Sequence, residues 1–240
     1  MVELHERRSV AVAANASFDP RGTPEKIAIV GMSCRLPGDV RNPVDFWNLC
    51  ARARSGWSEV PAHRFSPEAY YHPNPGRKGT HNAQGGHFLS DNVALFDAPF
   101  FNVTAAEATA MDPQQRLLLE GTYEAFENAG IARSETVGQN IGVFVGGYGA
   151  DYQLLGHKDT ETVPMYFATG TCKGLMSNRI SYYFDLRGPS FTVDTACSSS
   201  LVALHLACQS LRTGESEAAV VGGVHLNLTP DSFASMSSQR

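Results

Sequence analysis

At 240 residues the chain is long enough for one large domain or two small ones, and a chain of that size buries roughly 70% or more of its unfolded surface. Its 42% hydrophobic and 18% charged residues are those of a globular protein, and 19 basic against 24 acidic residues give a formal charge of −5. No basic stripe points to nucleic acid, and no apolar run reaches the roughly 18 residues of a membrane span.

The first residues, 1–23, mix both charges around a short Val/Ala stretch. Glu3 and Glu6 argue against a secretory signal or a transit peptide, so this segment reads as a flexible tail, with the cytosol as the default location. Order is expected from Pro24. Lys26-Ile-Ala-Ile-Val30, closed by Gly31, reads as a buried strand. Asn42-Pro43-Val44-Asp45 places an amide at N-cap, proline at N1 and a carboxylate at N3, which starts a helix. Phe46, Trp47, Cys50 and Ala53 form its expected buried stripe and Gly56 its expected end.

Residues 57–95, rich in Pro, Gly, His and Asn, read as a long excursion with little regular structure. Its histidines, His63, His72, His81 and His87, have no metal-ligand spacing and read as surface or loop residues. Met111-Asp-Pro-Gln-Gln-Arg116 then opens the clearest helix. Asp112 caps it, Pro113 takes N1, Gln115 at N3 is placed to complete a capping box, and Gly130 supplies the stop. Leu118, Thr122, Ala125, Phe126 and Ala129 fall on one face.

Ile141-Gly-Val-Phe-Val145 reads as a buried strand before Gly146-Gly147-Tyr148-Gly149. That run does not satisfy G-x-G-x-x-G, so a dinucleotide site is rejected in favour of a turn packed close to a neighbouring backbone. One helix is expected from Thr169 through Ile180, a turn at 185–189, and a strand at Ser190–Asp194. The helix Ser199–Arg212 is apolar on nearly every side and is expected at the centre of the fold. Residues 218–228 return as a strand, after which no closing element is expected. Alternating strands and helices argue for an α/β layering.

The five cysteines are Cys34, Cys50, Cys172, Cys197 and Cys208, with no C-x-x-C pair. The number is odd and the spacing scattered, which excludes the common zinc patterns and argues against a disulfide framework. Cys197 alone lies where a strand turns into a helix. The unpaired N–H groups and dipole of a helix N-terminus favour thiolate there and can hold an oxyanion. Ala196, Ser198, Ser199 and Ser200 are small enough to admit a substrate. A cysteine at such a turn is either structural or nucleophilic, and physics alone leaves both open. Cys208 reads as packing. His205, eight residues on, lies about 12 Å up the helix axis, too far to serve as a base. His225 reads as a core histidine within a strand.

Asp194-Thr-Ala-Cys-Ser-Ser-Ser200 resembles the active-site signature of the β-ketoacyl synthases (ketosynthases) of polyketide synthases. Similar to the same family are Ile27-Ala-Ile-Val-Gly-Met-Ser-Cys-Arg-Leu-Pro37, Phe96-Asp-Ala98 and Met111-Asp-Pro-Gln-Gln-Arg-Leu-Leu-Leu-Glu120. So are Glu124-Ala-Phe-Glu-Asn-Ala-Gly130, Asn178-Arg-Ile-Ser181, Phe184-Asp-Leu-Arg-Gly-Pro-Ser190 and Leu201-Val-Ala-Leu-His-Leu-Ala-Cys208. The detailed wording, including Phe88-Leu89 and the loop near His81, is most similar to fungal highly reducing synthases.

The resemblance implies a thiolase-like fold layered α-β-α-β-α, with residues 24–240 as the N-terminal part of the domain. It implies that Cys197 accepts an acyl chain as a thioester, with its backbone N–H toward the oxyanion. The acyl group arrives on the phosphopantetheine arm of an acyl carrier protein, and decarboxylative Claisen condensation with a malonyl unit follows. No cofactor or metal of the domain's own is implied. A homodimer is implied, paired through the strand Ser190–Asp194. The family also uses two histidines and a lysine in H-G-T-G-T-like and K-x-N-x-G-H-like motifs, and none of the eight histidines here stands in either. The expectation is therefore a sequence ended before those motifs and inactive in condensation by itself. A non-catalytic remnant that only pairs with other synthase subunits is the alternative, and an unrelated cysteine hydrolase explains the repeated resemblance poorly.

Overall fold

A computed structural model describes residues 26–237 of the chain, so the expected tail at 1–23 lies outside the described residues. The first helix, α1 (Pro43–Ala51), starts as its sequence dictates, with the Asn42 side chain accepting from the Asp45 N–H at 2.9 Å. The excursion that follows holds only β1 (Ser58–Glu59), α2 (Pro67–Tyr70) and β2 (Gly85–Gly86), the two strands pairing antiparallel. Next come α3 (Ala105–Ala110), α4 (Pro113–Ala129) and α5 (Arg133–Thr136). Gly130 ends α4 in the left-handed conformation, φ 70°, where a side chain would be strained.

Then follow β3 (Ile141–Gly147), α6 (Asp151–Gly156), α7 (Phe167–Thr171), α8 (Leu175–Phe184), β4 (Ser190–Val193), α9 (Ser199–Arg212), β5 (Ala218–Val224) and α10 (Asp231–Ser237). Three strands form one parallel sheet in the order β4-β3-β5. Every residue of central β3 is buried, and its alternation divides the core between two faces. Val143 and Val145 pack with Met176, Ile180 and Phe184 of α8 and with Leu118 and Leu119 of α4. Phe144 points the other way, onto Ala203 and Ala207 of α9. The result is a three-layer α-β-α sandwich.

Several expectations are corrected. Residues 26–30 form no regular element and pair with no strand among the described residues, and Ile29 and Val30 are 73% and 69% exposed. Side-chain ties to α4 hold the following residues instead: the Ser33 hydroxyl donates to the Gly121 carbonyl at 2.6 Å, and Arg35 pairs with Glu124. The stripe expected on α1 is not buried: among the described residues Phe46, Trp47 and Cys50 all stay exposed. The helix stops at Ala51, with Ala53 left-handed, before Gly56 is reached. The single helix expected from Thr169 is two, broken at Cys172. The break is stabilised from α4, because Gln115 Nε2 donates to the carbonyls of Thr169 and Cys172. Gln115 is thereby unavailable for a capping box, and Asp112 caps through the Gln114 N–H alone.

The last strand ends at Val224 and the described chain closes with a helix, α10. Phe233 of α10 packs beside His81, which is a loop residue but buried, with Nδ1 2.9 Å from the Ala83 carbonyl. Around α9 only Ser199, Ala203, Ala207 and Ser210 are buried, whereas Leu201 is 69% exposed. One face of α9 meets the sheet, and no layer covers its far face among the described residues.

Burial pushes the Asp112 carboxyl above its ordinary range, despite the hydrogen bonds from Gln114 and the charge of Arg116. A carboxyl raised in the fold contributes most below its unfolded value, and that contribution is lost as pH rises through the folded value. Asp112→Asn keeps the cap and removes the buried charge. It is therefore expected to gain stability relative to wild type between pH 4 and pH 7 in denaturant unfolding. Asp112→Ala loses the cap and is expected to cost about 1 kcal/mol.

Candidate functional site

The parallel sheet brings the C-terminal ends of its three strands to one rim, where loops carry chemistry in α/β folds. From β4 the chain passes through Asp194, Thr195, Ala196 and Cys197 into α9. Ala196 is left-handed, φ 56°, an uncommon state for a residue with a side chain. Asp194 holds that turn, its Oδ1 accepting from the Ala196 N–H at 3.1 Å. Its Oδ2 takes the Lys173 ammonium at 2.5 Å. These bonds, that from Lys173 foremost, hold the Asp194 carboxyl below the ordinary range.

A second set of bonds runs through Ser199, which is buried. Its hydroxyl accepts from the Thr195 N–H at 2.8 Å and donates to the Ala196 carbonyl at 2.7 Å. Ser198 Oγ lies 2.9 Å from Thr195 Oγ1 and donates to the Thr195 carbonyl at 2.8 Å. The N–H groups of Ser198 and Ser199 are engaged by the carbonyls of Thr195 and Ala196. The Cys197 side chain stands exposed at the apex.

The helix can begin here because the sheet beneath it lacks side chains. A Cβ on Gly146 would lie 2.4 Å from the carbonyl carbon of Ser199 and from the amide nitrogen of Ser200, and one on Gly223 would lie 2.6 Å from the Ser200 Cβ. The close backbone approach expected of the glycine run is therefore present at Gly146, which lies within β3 rather than in a turn beyond it, and its neighbour is the first turn of α9.

Among the described residues neither histidine considered for this helix and strand acts beside the cysteine. His205 is exposed on α9. His225 is corrected from a core strand residue to an exposed one just beyond β5, where its ring nitrogens meet the Tyr148 carbonyl and Asn227 Oδ1, each at 3.1 Å. Cys50 and Cys172 are also exposed, while Cys34 and Cys208 are half-buried. Among the described residues no cluster of His, Cys, Asp and Glu could hold a metal ion, and no helix is long and apolar enough to cross a membrane. An open groove of about 1510 Å³ runs between one flank of α9, β5 and residues 26–37, and Cys197 does not line it. Sequence reasoning missed Lys173, which reaches the turn from the α7–α8 break and carries no local signal. Ser199 was legible only as a small residue.

The model of the β-ketoacyl synthase N-terminal domain matches residues 24–240. The chain is 61% identical over 212 residues to highly-reducing polyketide synthase 1 of Aureobasidium melanogenum, covering 88% of this chain and 10% of that protein. It is 53% identical over 216 residues to the compactin diketide synthase mlcB of Penicillium citrinum, covering 90% of this chain and 8% of that one. Among solved structures, the oxazolomycin ketosynthase domain OzmH KS7 of Streptomyces albus superposes with a TM-score of 0.81 at 37% identity, covering 87% of this chain and 36% of its own. A mutant form of the ketosynthase from module 6 of the bacillaene synthase of Bacillus subtilis 168 gives 0.78 at 37% identity, covering 88% and 34%. The chain thus spans about a tenth of the curated relatives it matches and about a third of the solved ketosynthase chains. The sandwich described above is part of the thiolase-like fold those domains share, and the chain belongs to the β-ketoacyl synthase family, as a ketosynthase sequence of the polyketide synthase kind.

Proposed function

We propose that Cys197 is the acyl-accepting nucleophile of a polyketide-forming condensation. The observation that carries this reading is its exposed place at the apex of the β4–α9 turn. In the loading step the Cys197 thiolate attacks the thioester carbonyl of an acyl group borne on carrier-protein phosphopantetheine. A new C–S bond forms, negative charge gathers on the carbonyl oxygen, and collapse expels the pantetheine thiolate, which takes up a proton. With the Ser198 and Ser199 N–H groups engaged, the Cys197 N–H is the donor assigned to that oxygen. In the condensing step a malonyl unit loses carbon dioxide. The resulting enolate carbon attacks the Cys197 thioester, forming the C–C bond and releasing the thiolate.

That second step develops charge on the malonyl thioester oxygen, and the family stabilises it with histidines in motifs that these 240 residues do not contain. The 240 residues by themselves are therefore assigned acyl loading without condensation. The domain organisation, residues 24–240 as the N-terminal part of a ketosynthase domain, belongs to the same proposal. So does a homodimer through Ser190–Asp194. In its favour, β4 is an edge strand with Phe191 37% exposed, and an open edge is a template for pairing.

Limited iodoacetamide labelling of the native protein tests the assignment of the nucleophile. Cys197 is expected to be alkylated before Cys50 and Cys172, although all three are exposed, because Cys197 lies just before the 14-residue α9 whereas Cys172 caps the end of α7 and Cys50 lies in the last turn of α1. Faster labelling of Cys50 or Cys172 would count against it.

A further inference from the structure

The nucleophile turn is short, exposed and locally strained, so something must hold it. Asp194 Oδ1 accepts from the Ala196 N–H, which fixes the Thr195–Ala196 peptide, one before the peptide that carries the Cys197 N–H. A carboxylate on a rim can rotate unless its other oxygen is also tied, and Oδ2 is tied to Lys173.

Lys173 belongs to neither β4 nor α9. It sits at the break between α7 and α8, and that break is itself anchored. Gln115 of α4, 1% exposed, donates its Nε2 to the Cys172 carbonyl next door. Gln115 Oε1 in turn accepts from Arg179 Nε at 2.7 Å, and Arg179 NH1 pairs with Glu107 at 2.5 Å. Every link is within hydrogen-bonding distance, and the sequence separations run to 72 residues. Three sequence blocks far apart in the chain, those of Gln115, Arg179 and Asp194, are thus physically joined through Lys173.

We infer that Lys173 is a positioning residue for acyl loading, clamping the Asp194 carboxylate so that the Thr195–Ala196 peptide, and through left-handed Ala196 the adjoining Cys197 N–H, stays aimed at the thioester oxygen. The inference rests on the reading of Cys197 as the acyl acceptor. Lys173 touches neither the acyl group nor the sulfur. It transmits the rigidity of the buried α4–α8 network to a turn otherwise held by the bonds of Ser198 and Ser199 within residues 195–199. Arginine can make the same ion pair and methionine cannot.

The test uses the full-length protein and a hexanoyl N-acetylcysteamine thioester, with loading followed by peptide mass spectrometry. Lys173→Met is expected to lower the maximal loading rate roughly tenfold with the half-saturating concentration unchanged, since a displaced donor weakens the transition state more than binding. Lys173→Arg is expected to restore most of that rate. Asp194→Asn, which keeps an oxygen for the Ala196 N–H but loses the charge pair, is expected to slow loading as well. Both side chains of the pair are more than a third exposed, so these variants are expected to fold. Iodoacetamide, which needs no oxyanion donor, is expected to alkylate Cys197 in Lys173→Met at close to the wild-type rate. A merely structural role would lower the melting temperature and leave the loading rate of the folded fraction unchanged, and that outcome overturns the inference. Equal slowing by Lys173→Arg and Lys173→Met overturns it too. A Cys197→Ala arm separates the two claims. If that variant still loads, the nucleophile reading fails and this inference falls with it. If it does not load while Lys173→Met matches wild type, only the clamp is refuted.

Discussion

Cys197→Ala is expected to abolish acyl loading, by a thousandfold or more, as removal of a covalent nucleophile does elsewhere. No neighbour can take its place. Ser198 and Ser199 follow it, yet their hydroxyls are committed to the Thr195 and Ala196 carbonyls, and among the described residues neither hydroxyl has a histidine partner. Among the other thiols, burial raises Cys34 above the ordinary thiol range, against the pull of Arg35. Cys208 is half-buried within α9. The substitution removes one sulfur from an exposed position, so the melting temperature is expected to stay near that of wild type. Loading in the alanine variant at a tenth of the wild-type rate would place the acyl group on another residue.

The second large effect is structural. Gly146→Ala drives a methyl group to 2.4 Å from the backbone of Ser199 and Ser200, atoms that cannot move without shifting the start of α9. Overpacking of that kind costs roughly 3 kcal/mol, which lowers the melting point of a chain this long by about 6–12 °C. The adjacent Gly147→Ala is the control, because its methyl group meets the flexible end of Met176, and a much smaller loss is expected. Loading is expected to fall with Gly146→Ala even in the folded fraction, since the displaced helix start carries the Cys197 turn with it. Equal melting temperatures for the two alanine variants would show that α9 does not rest on β3 as described.

Features set by neighbouring residues were legible in the sequence, and features set by distant ones were not. Asn42, Asp112 and Gly130 announce helix ends because capping is settled within three or four residues. The short apolar run Ile141–Val145 marks β3, and the glycines after it mark a close approach. The Asp194–Ala196 turn is also local, and with it the place of Cys197. Burial depends on which layer covers an element. Ile27–Val30, the α1 stripe and the outer side of α9 are apolar in composition yet exposed among the described residues, so composition alone misjudged all three. The break at Cys172 depends on Gln115, 57 residues away. Gln115 looked like a capping residue because its spacing from Asp112 fits that role, and only the fold reveals the competing carbonyls. Lys173 has no periodicity or motif to betray it, and its contact with Asp194 exists only once α8 has been laid against β4.

Everything proposed for this site depends on Cys197 carrying the acyl group. Brief exposure of the protein to an acyl pantetheine thioester, followed by intact-mass and peptide mass spectrometry, decides it. The expected result is one added acyl group per chain, on the peptide containing Asp194–Ser200, lost on treatment with hydroxylamine. An acyl group on Cys34, Cys50, Cys172 or Cys208 with Cys197 unmodified would rule the assignment out.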